Sequence, residues 1–282
     1  MKNPAIPLLG RGIEYTGALI GGSLGTATGD PLAGMALGAM GATIGGLVAD
    51  TAERQLSARE RRRTESVANH AAAFIKEFLA DRWEVRSDGF FESASVGDNT
   101  AAEEIVEGVL RAAQASFEER KVEHLGHLMA VSAFDQGMDA GTLHWALTLA
   151  GELTWNQYLL LAAFDQDRSL SKPPGGIREG VAAWDAWSMH DQLSDLRYQR
   201  HLIAAPAAQT KSLNLPYTNN EIQDHVLTVG GGLLNHLLGL RRISDREAIE
   251  VLKILGSDAG STAEPGAAGD SDRGQIQDEG NL

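Results

Sequence analysis

From Thr16 to Asp50 the chain is apolar, carries only Asp30 and Asp50 as charges, and repeats glycine at a fixed interval. Gly17, Gly21, Gly25 and Gly29 stand four apart; beyond Asp30-Pro31, Gly34 and Gly38 repeat the step, Ala42 takes the next place and Gly46 the one after. An interior helical glycine costs about 1 kcal/mol relative to alanine, so a row of them requires a compensating contact. Four-residue spacing clears one helix face and lets a second backbone lie against it. The pattern predicts a glycine-zipper helical hairpin within residues 1–56. Its arms run from about Gly10 to Thr28 and from Pro31 to about Gln55, with Asp30 as N-cap and Pro31 at the first helical position, where a missing N–H costs nothing. The uncharged part of the second arm would be about 28 Å long, close to the thickness of a bilayer core. The first arm is charge-free only from Tyr15 to Gly29 and spans only if Arg11 and Glu14 sit at the interface. Large apolar side chains are few, so insertion by a single chain would be marginal.

The 282 residues are enough for one large or two modest domains. A net charge of -14 argues against a free nucleic-acid binder, since phosphate attraction needs a basic surface. The absence of cysteine excludes disulfides, thiolate metal sites and a cysteine nucleophile, and fits a reducing cytoplasm. The opening MKNPAIPLLGRGIEY has prolines and Arg11 where a signal peptide needs an unbroken apolar core. These features together predict a cytoplasmic protein associated with the inner membrane. Directly after the hairpin, Arg59, Arg61, Arg62 and Arg63 form the densest positive cluster. With Lys2 and Arg11 ahead of the hairpin, both basic flanks fall on one side of a membrane that both arms cross, as the positive-inside bias prefers. The competing reading of the cluster is a solvated helix start.

The remainder predicts a mainly α fold. Residues 57–170 form a helical domain and 177–255 a smaller α+β, winged-helix-like module; 256–282 form a disordered acidic tail with almost no apolar bulk. Ser57 with Glu60 and Thr100 with Glu103 make capping boxes, and Asp139 and Thr154 are further N-caps. Val67, Ala71, Phe74, Ile75, Phe78 and Leu79 mark one apolar helix face. Residues 84–99 read as a loop, a bend is expected near Ser116, and an amphipathic run extends from Glu118 to Phe134. A helix from about Ile177 to Gln199 is expected to bury Val181, Trp184, Trp187 and Leu193. Short strands at 201–205 and 224–228 then precede a helix opening at Gly230 to Gly232, and a last helix runs from about Ser244 to Leu255.

Several short pieces read together: Glu103 to Leu110, Phe117 to Lys121, Ala133-Phe134-Asp135, Glu152 to Gln157, and the pairing of Leu196 to Ile203 with Leu227 to Gly230 and Leu238-Gly239-Leu240. Over roughly residues 16–255 this combination resembles a group of largely uncharacterised bacterial proteins in which a glycine-rich hairpin precedes a helical domain. The resemblance implies a bacterial, mainly helical protein and supplies neither an activity nor catalytic residues.

Other constellations are weaker. Glu119, Glu123, His124 and His127 share neighbouring helix faces and are of types that bind divalent metals. They lack the HExxH order and a matching set on another helix, since His70 and His144 are isolated. A polar helix face with one histidine near the core is the preferred reading, with no metal. Gly21 to Thr26 is not followed by the lysine of a phosphate loop. Gly230-Gly-Gly232 lacks the rest of a dinucleotide fingerprint, and no nucleophile elbow accompanies the serines. Trp184 and Trp187 read as core or subunit interface ahead of a ligand cage. Lys211, Arg241, Arg242 and Arg246 in the winged-helix-like module are surrounded by carboxylates, which disfavours DNA.

The sequence thus predicts an oligomerising, membrane-associating protein that is not an enzyme and needs no cofactor. Its partners are copies of itself and membrane lipid, and Gly17, Gly21, Gly25, Gly29, Gly34, Gly38 and Gly46 are the assembly positions. A membrane-damaging toxin or defence effector is one specific form of this reading. The alternative is a soluble adaptor or scaffold whose C-terminal module binds a protein partner, with DNA a lesser choice.

Overall fold

The computed structural model describes residues 38, 41–46, 57–92, 99–168, 170, 183–204 and 225–255. Most of the hairpin and the whole tail at 256–282 therefore lie outside the described residues, as does Val181. What is described is mainly helical. The helices are α1 (Ala58–Ala80), α2 (Ala101–Ala115), α3 (Lys121–Val131), α4 (Ala140–Glu152), α5 (Trp155–Ala163) and α6 (Ala183–Ser194). A π-helical turn, Asp195–Gln199, extends α6. Strands β1 (Ile203–Ala204) and β2 (Val226–Leu227) pair antiparallel, Ile203 opposite Leu227. Helix α7 (Val229–Leu237), a 3-10 turn at Leu240–Arg242 and α8 (Asp245–Leu255) complete the order.

Local chemistry sets most helix starts. Ser57 and Glu60 exchange side-chain and backbone hydrogen bonds ahead of α1, and Thr100 with Glu103 and Thr154 with Gln157 do the same for α2 and α5. Asp139 and Thr228 accept from Thr142 and Gly231 at the starts of α4 and α7. Each such cap satisfies an otherwise orphaned backbone donor and contributes about 1 kcal/mol. At Ser116 the chain does not bend within a helix; α2 stops there and Ser116 is extended.

Helix α3 is the axis of the body. It is not amphipathic, as the sequence suggested, but buried from Lys121 to Val131 with Glu123 alone exposed. It packs most extensively on α1, with α2, α4 and α7 around it, while α5, α6 and α8 pack together at the other side. One cluster of buried apolar side chains runs from Val67 through Leu128 and Tyr158 to Leu252. Gly126 makes the α1–α3 crossing close: a Cβ there would lie 2.7 Å from His70 Cβ and 3.0 Å from the Val67 carbonyl oxygen. Lys121, though buried, is satisfied because its Nζ donates to the carbonyls of Gly151 and Leu153 at the end of α4, where a cation also meets the negative end of the helix dipole.

Two further joints shape the surface near α3. Helix α1 ends with Arg82 N–H bonded to Leu79 O and Trp83 N–H to Phe78 O, a Schellman motif that puts Arg82 at φ 62°. Its closing hydrophobic contact is the stack of Phe78 on Trp83, centroids 4.7 Å apart. In the following loop, buried Arg86 donates to Asp88 and to the carbonyls of Ser132 and Met138, tying residues 84–92 to the end of α3. No described helix is long and apolar enough to cross a membrane.

Candidate functional site

Of the glycine row, Gly17, Gly21, Gly25, Gly29 and Gly34 lie outside the described residues, so they are not placed. Gly38 and residues 41–46 are helical. Ile44 is fully buried and belongs to the core cluster of the body. Ala42 and Gly46 are exposed, and a Cβ added at Gly38 or Gly46 would have nothing within 4 Å among the described residues. The short described piece is therefore two-sided: its one bulky side chain points into the body, and its small residues at four-residue spacing point away from it.

The arginine cluster divides by position. Arg59 and Arg63 both reach Glu119, at 3.1 and 2.9 Å, and Arg63 also donates to the Gln114 carbonyl at 3.3 Å. Arg63 is only 5% exposed, so this cation is an internal tie between α1 and the α2–α3 connection and presents no charge to a surface. Desolvation works against ionisation of Glu119, and the hydrogen bonds from Arg59 and Arg63 outweigh it and hold its carboxyl below the usual range. Arg61 is half-buried; Arg62 is exposed and makes no ion pair among the described residues.

The histidines of α3 are both buried, which corrects the expectation of a polar face with one inner histidine. His124 Nδ1 lies 2.8 Å from the Leu238 carbonyl oxygen and His127 Nδ1 lies 3.0 Å from that of Leu237. A carbonyl accepts only, so each Nδ1 carries the proton and donates. The pair thereby satisfies two orphan carbonyls at the C-terminus of α7. Gly239 permits this approach. It turns the chain at φ 60°, and a Cβ there would lie 2.6 Å from the His127 ring. Desolvation pushes His127 down to about 4 and lowers His124 as well, so both imidazoles are neutral near pH 7. Among the described residues, no three metal-binding side chains converge.

A cleft opens on either side of this joint. One, of about 370 Å³, is walled by Phe78 and Trp83 and by His127, Asn235, Arg241 and Arg242. The other, of about 330 Å³, lies between Arg120, His124, Trp155 and Glu247. Their cations are engaged: Arg241 is held by Asp165 and Asp167, and Arg242 by Glu77 with its guanidinium 4.7 Å above the Phe74 ring. Among the described residues, the linings contain no serine, threonine, cysteine or lysine. Chemically they offer aromatic walls and neutral imidazole nitrogens, which suit recognition, and no hydroxyl or thiol beside a base.

Helix α6 departs most from expectation. Leu193 is buried as expected, but Trp184 and Trp187 are 76% and 60% exposed, and Ala186, Met189 and Leu196 are buried instead. The two indoles meet edge to face with centroids 5.8 Å apart. The histidine joint had no local signal, because its partners are 110 and 114 residues away. Neither a protein-family model, nor a characterised protein, nor a solved structure matches the chain.

Proposed function

We propose that this chain is an oligomerising, membrane-associating protein whose contact is made by the glycine row of residues 1–56, arranged as a helical hairpin and seated on the helical body. The observation that carries the reading is the two-sidedness of Gly38 and residues 41–46. Ile44 anchors the segment in the core, while Gly38 and Gly46 leave bare backbone on the open side. Bare backbone at four-residue spacing is the surface on which a second helix packs closely, whether from another copy or within lipid. In this reading Arg62, exposed at the start of α1, is the member of the arginine cluster available to lipid phosphates, and Arg59 and Arg63 brace α1.

The test is Gly38→Leu with Gly46→Leu in the full chain. Because a Cβ at either position meets nothing within 4 Å among the described residues, the body should melt as before. Light scattering should show loss of the oligomer, and liposome flotation should fall with it. An unchanged oligomer and unchanged flotation would refute the proposal.

The adaptor reading has one observation of its own, the exposed tryptophan pair on α6, which stands in the C-terminal module ahead of the β1–β2 pair and α7. An adaptor keeps its partner in the same double-leucine variant.

A further inference from the structure

We propose that Trp184, Trp187 and Asp191 form a recognition corner for arginine or lysine side chains on a basic segment of a partner protein. Residues 184, 187 and 191 are three and four apart, so they share one face of α6. The opposite face holds the helix in place: Ala186, Met189 and Leu193 are buried against the body, and α6 packs on α5 and α8. The corner is thus built on a fixed element, which reduces the ordering cost of binding.

Its geometry suits a cation. The indole planes stand at 85°, edge to face, with centroids 5.8 Å apart, and both rings remain largely exposed, so each offers open ring surface beside the other. Each face carries the negative part of the aromatic quadrupole and attracts a guanidinium or ammonium group. Asp191, one turn beyond Trp187, is exposed and makes no hydrogen bond or ion pair among the described residues. It supplies a full negative charge in the same row.

Other occupants fit less well. An apolar partner surface would bury Asp191 unpaired, at a cost of several kcal/mol. An anionic lipid surface would meet two exposed carboxylates, Asp185 and Asp191, and be repelled. A basic segment satisfies the rings and the carboxylate together, and the chain's net charge of -14 steers such a partner inward.

The full-length protein should be titrated with fluorescein-labelled hexa-arginine and hexa-lysine, reading anisotropy. The decisive variant is Trp184→Ala with Trp187→Ala, which leaves the net charge unchanged. Non-specific attraction to an acidic protein survives it, while binding at the corner weakens about tenfold. Asp191→Asn should weaken binding about threefold. Both variants should melt like the parent, since the altered side chains are exposed. The corner shares no residue with Gly38 or Gly46, so Gly38→Leu with Gly46→Leu should leave peptide binding intact. Equal affinity of the parent and the double-alanine variant overturns the proposal. So does a double-alanine variant that loses vesicle flotation or self-association while keeping peptide binding, since that assigns the face to lipid or to a second copy.

Discussion

Acid should loosen the joint between α3 and α7 through His127. The imidazole is 7% exposed, packed edge-on against Phe74 and Phe78 at 5.0 and 5.6 Å, and its Nδ1 proton is committed to Leu237. Desolvation, aided by the nearby charge of Arg242 and opposed by the Leu237 carbonyl, brings it down to about 4 from the free value of 6.5. Between those two values the unfolded chain binds a proton that the folded chain refuses. Stability therefore falls as pH falls from 6.5, and the loss is complete once pH drops below about 4. The slope approaches about 1.36 kcal/mol per pH unit once the unfolded imidazole is protonated, so descending from pH 6.5 to 4.5 removes about 2 kcal/mol through His127 alone. His124, lowered in the same direction, adds to it. Glu119 and Asp165 are also depressed, but such a carboxylate starts to give up its contribution only as pH falls through its ordinary value, 4.5 for Glu119 and 3.8 for Asp165, so most of this window belongs to the histidines. The assay is urea unfolding at a series of pH values, on the parent and on His127→Asn. The asparagine amide keeps a donor near the Nδ1 position and cannot titrate. The variant should be less stable at pH 7, having lost the ring contacts, yet show a shallower decline toward pH 4.5. Equal slopes would refute the idea that this imidazole is held neutral by the fold.

Two backbone positions give sharper, pH-independent outcomes. Gly239→Ala combines a left-handed φ of 60° with a Cβ 2.6 Å from the His127 ring, so it should destabilise by about 2–4 kcal/mol, read by urea midpoint at constant m-value. Arg82→Gly runs the other way: with φ 62° at the Schellman position, it should stabilise by about 0.5–1 kcal/mol, visible as a raised melting temperature.

What the sequence showed well is what depends on neighbours in the chain. The caps at Ser57, Thr100, Asp139 and Thr154 all appear, since a side-chain oxygen and the N–H three residues on are set by local geometry. The short β1–β2 pair and the helix after it were legible for the same reason. Two long-range matters were not. Helix α3 looked one-sided because Lys121, His124 and His127 counted as polar, yet each finds carbonyl partners on α4 or α7 and is buried. On α6, two apolar rows compete. Trp184 and Trp187 have the larger surface, but Ala186, Met189, Leu193 and Leu196 form a longer row at three- and four-residue spacing, and that row faces the core. Size favoured the first; continuity of packing along the helix decided for the second. The five glycines ahead of Gly38 in the row lie outside the described residues, so the site there rests on Gly38 and residues 41–46.

The glycines of the body show what Gly38 and Gly46 lack among the described residues. Gly108, Gly126, Gly231 and Gly239 each have a neighbour where a Cβ would sit: Leu147 Cδ2 at 2.4 Å, His70 Cβ at 2.7 Å, the Leu202 carbonyl oxygen at 2.0 Å and the His127 ring at 2.6 Å. In each case close approach repays the backbone entropy that glycine sacrifices. Gly151 and Gly232 are open, but singly, one in the last turn of α4 and the other lining the larger cleft. Gly38 and Gly46 are open in register, with exposed Ala42 between them, on the side of the segment away from buried Ile44. Each sacrifices about 1 kcal/mol of helix propensity and gets no contact in return among the described residues. A partner backbone on that side removes the imbalance, and alanine at both positions would remove it too, without any partner. That second remedy gives a clean reading of the row: if the glycines serve nothing beyond the monomer, alanine there stabilises the chain and leaves its assembly alone, whereas a glycine-lined contact weakens as soon as the methyl groups hold the two backbones apart.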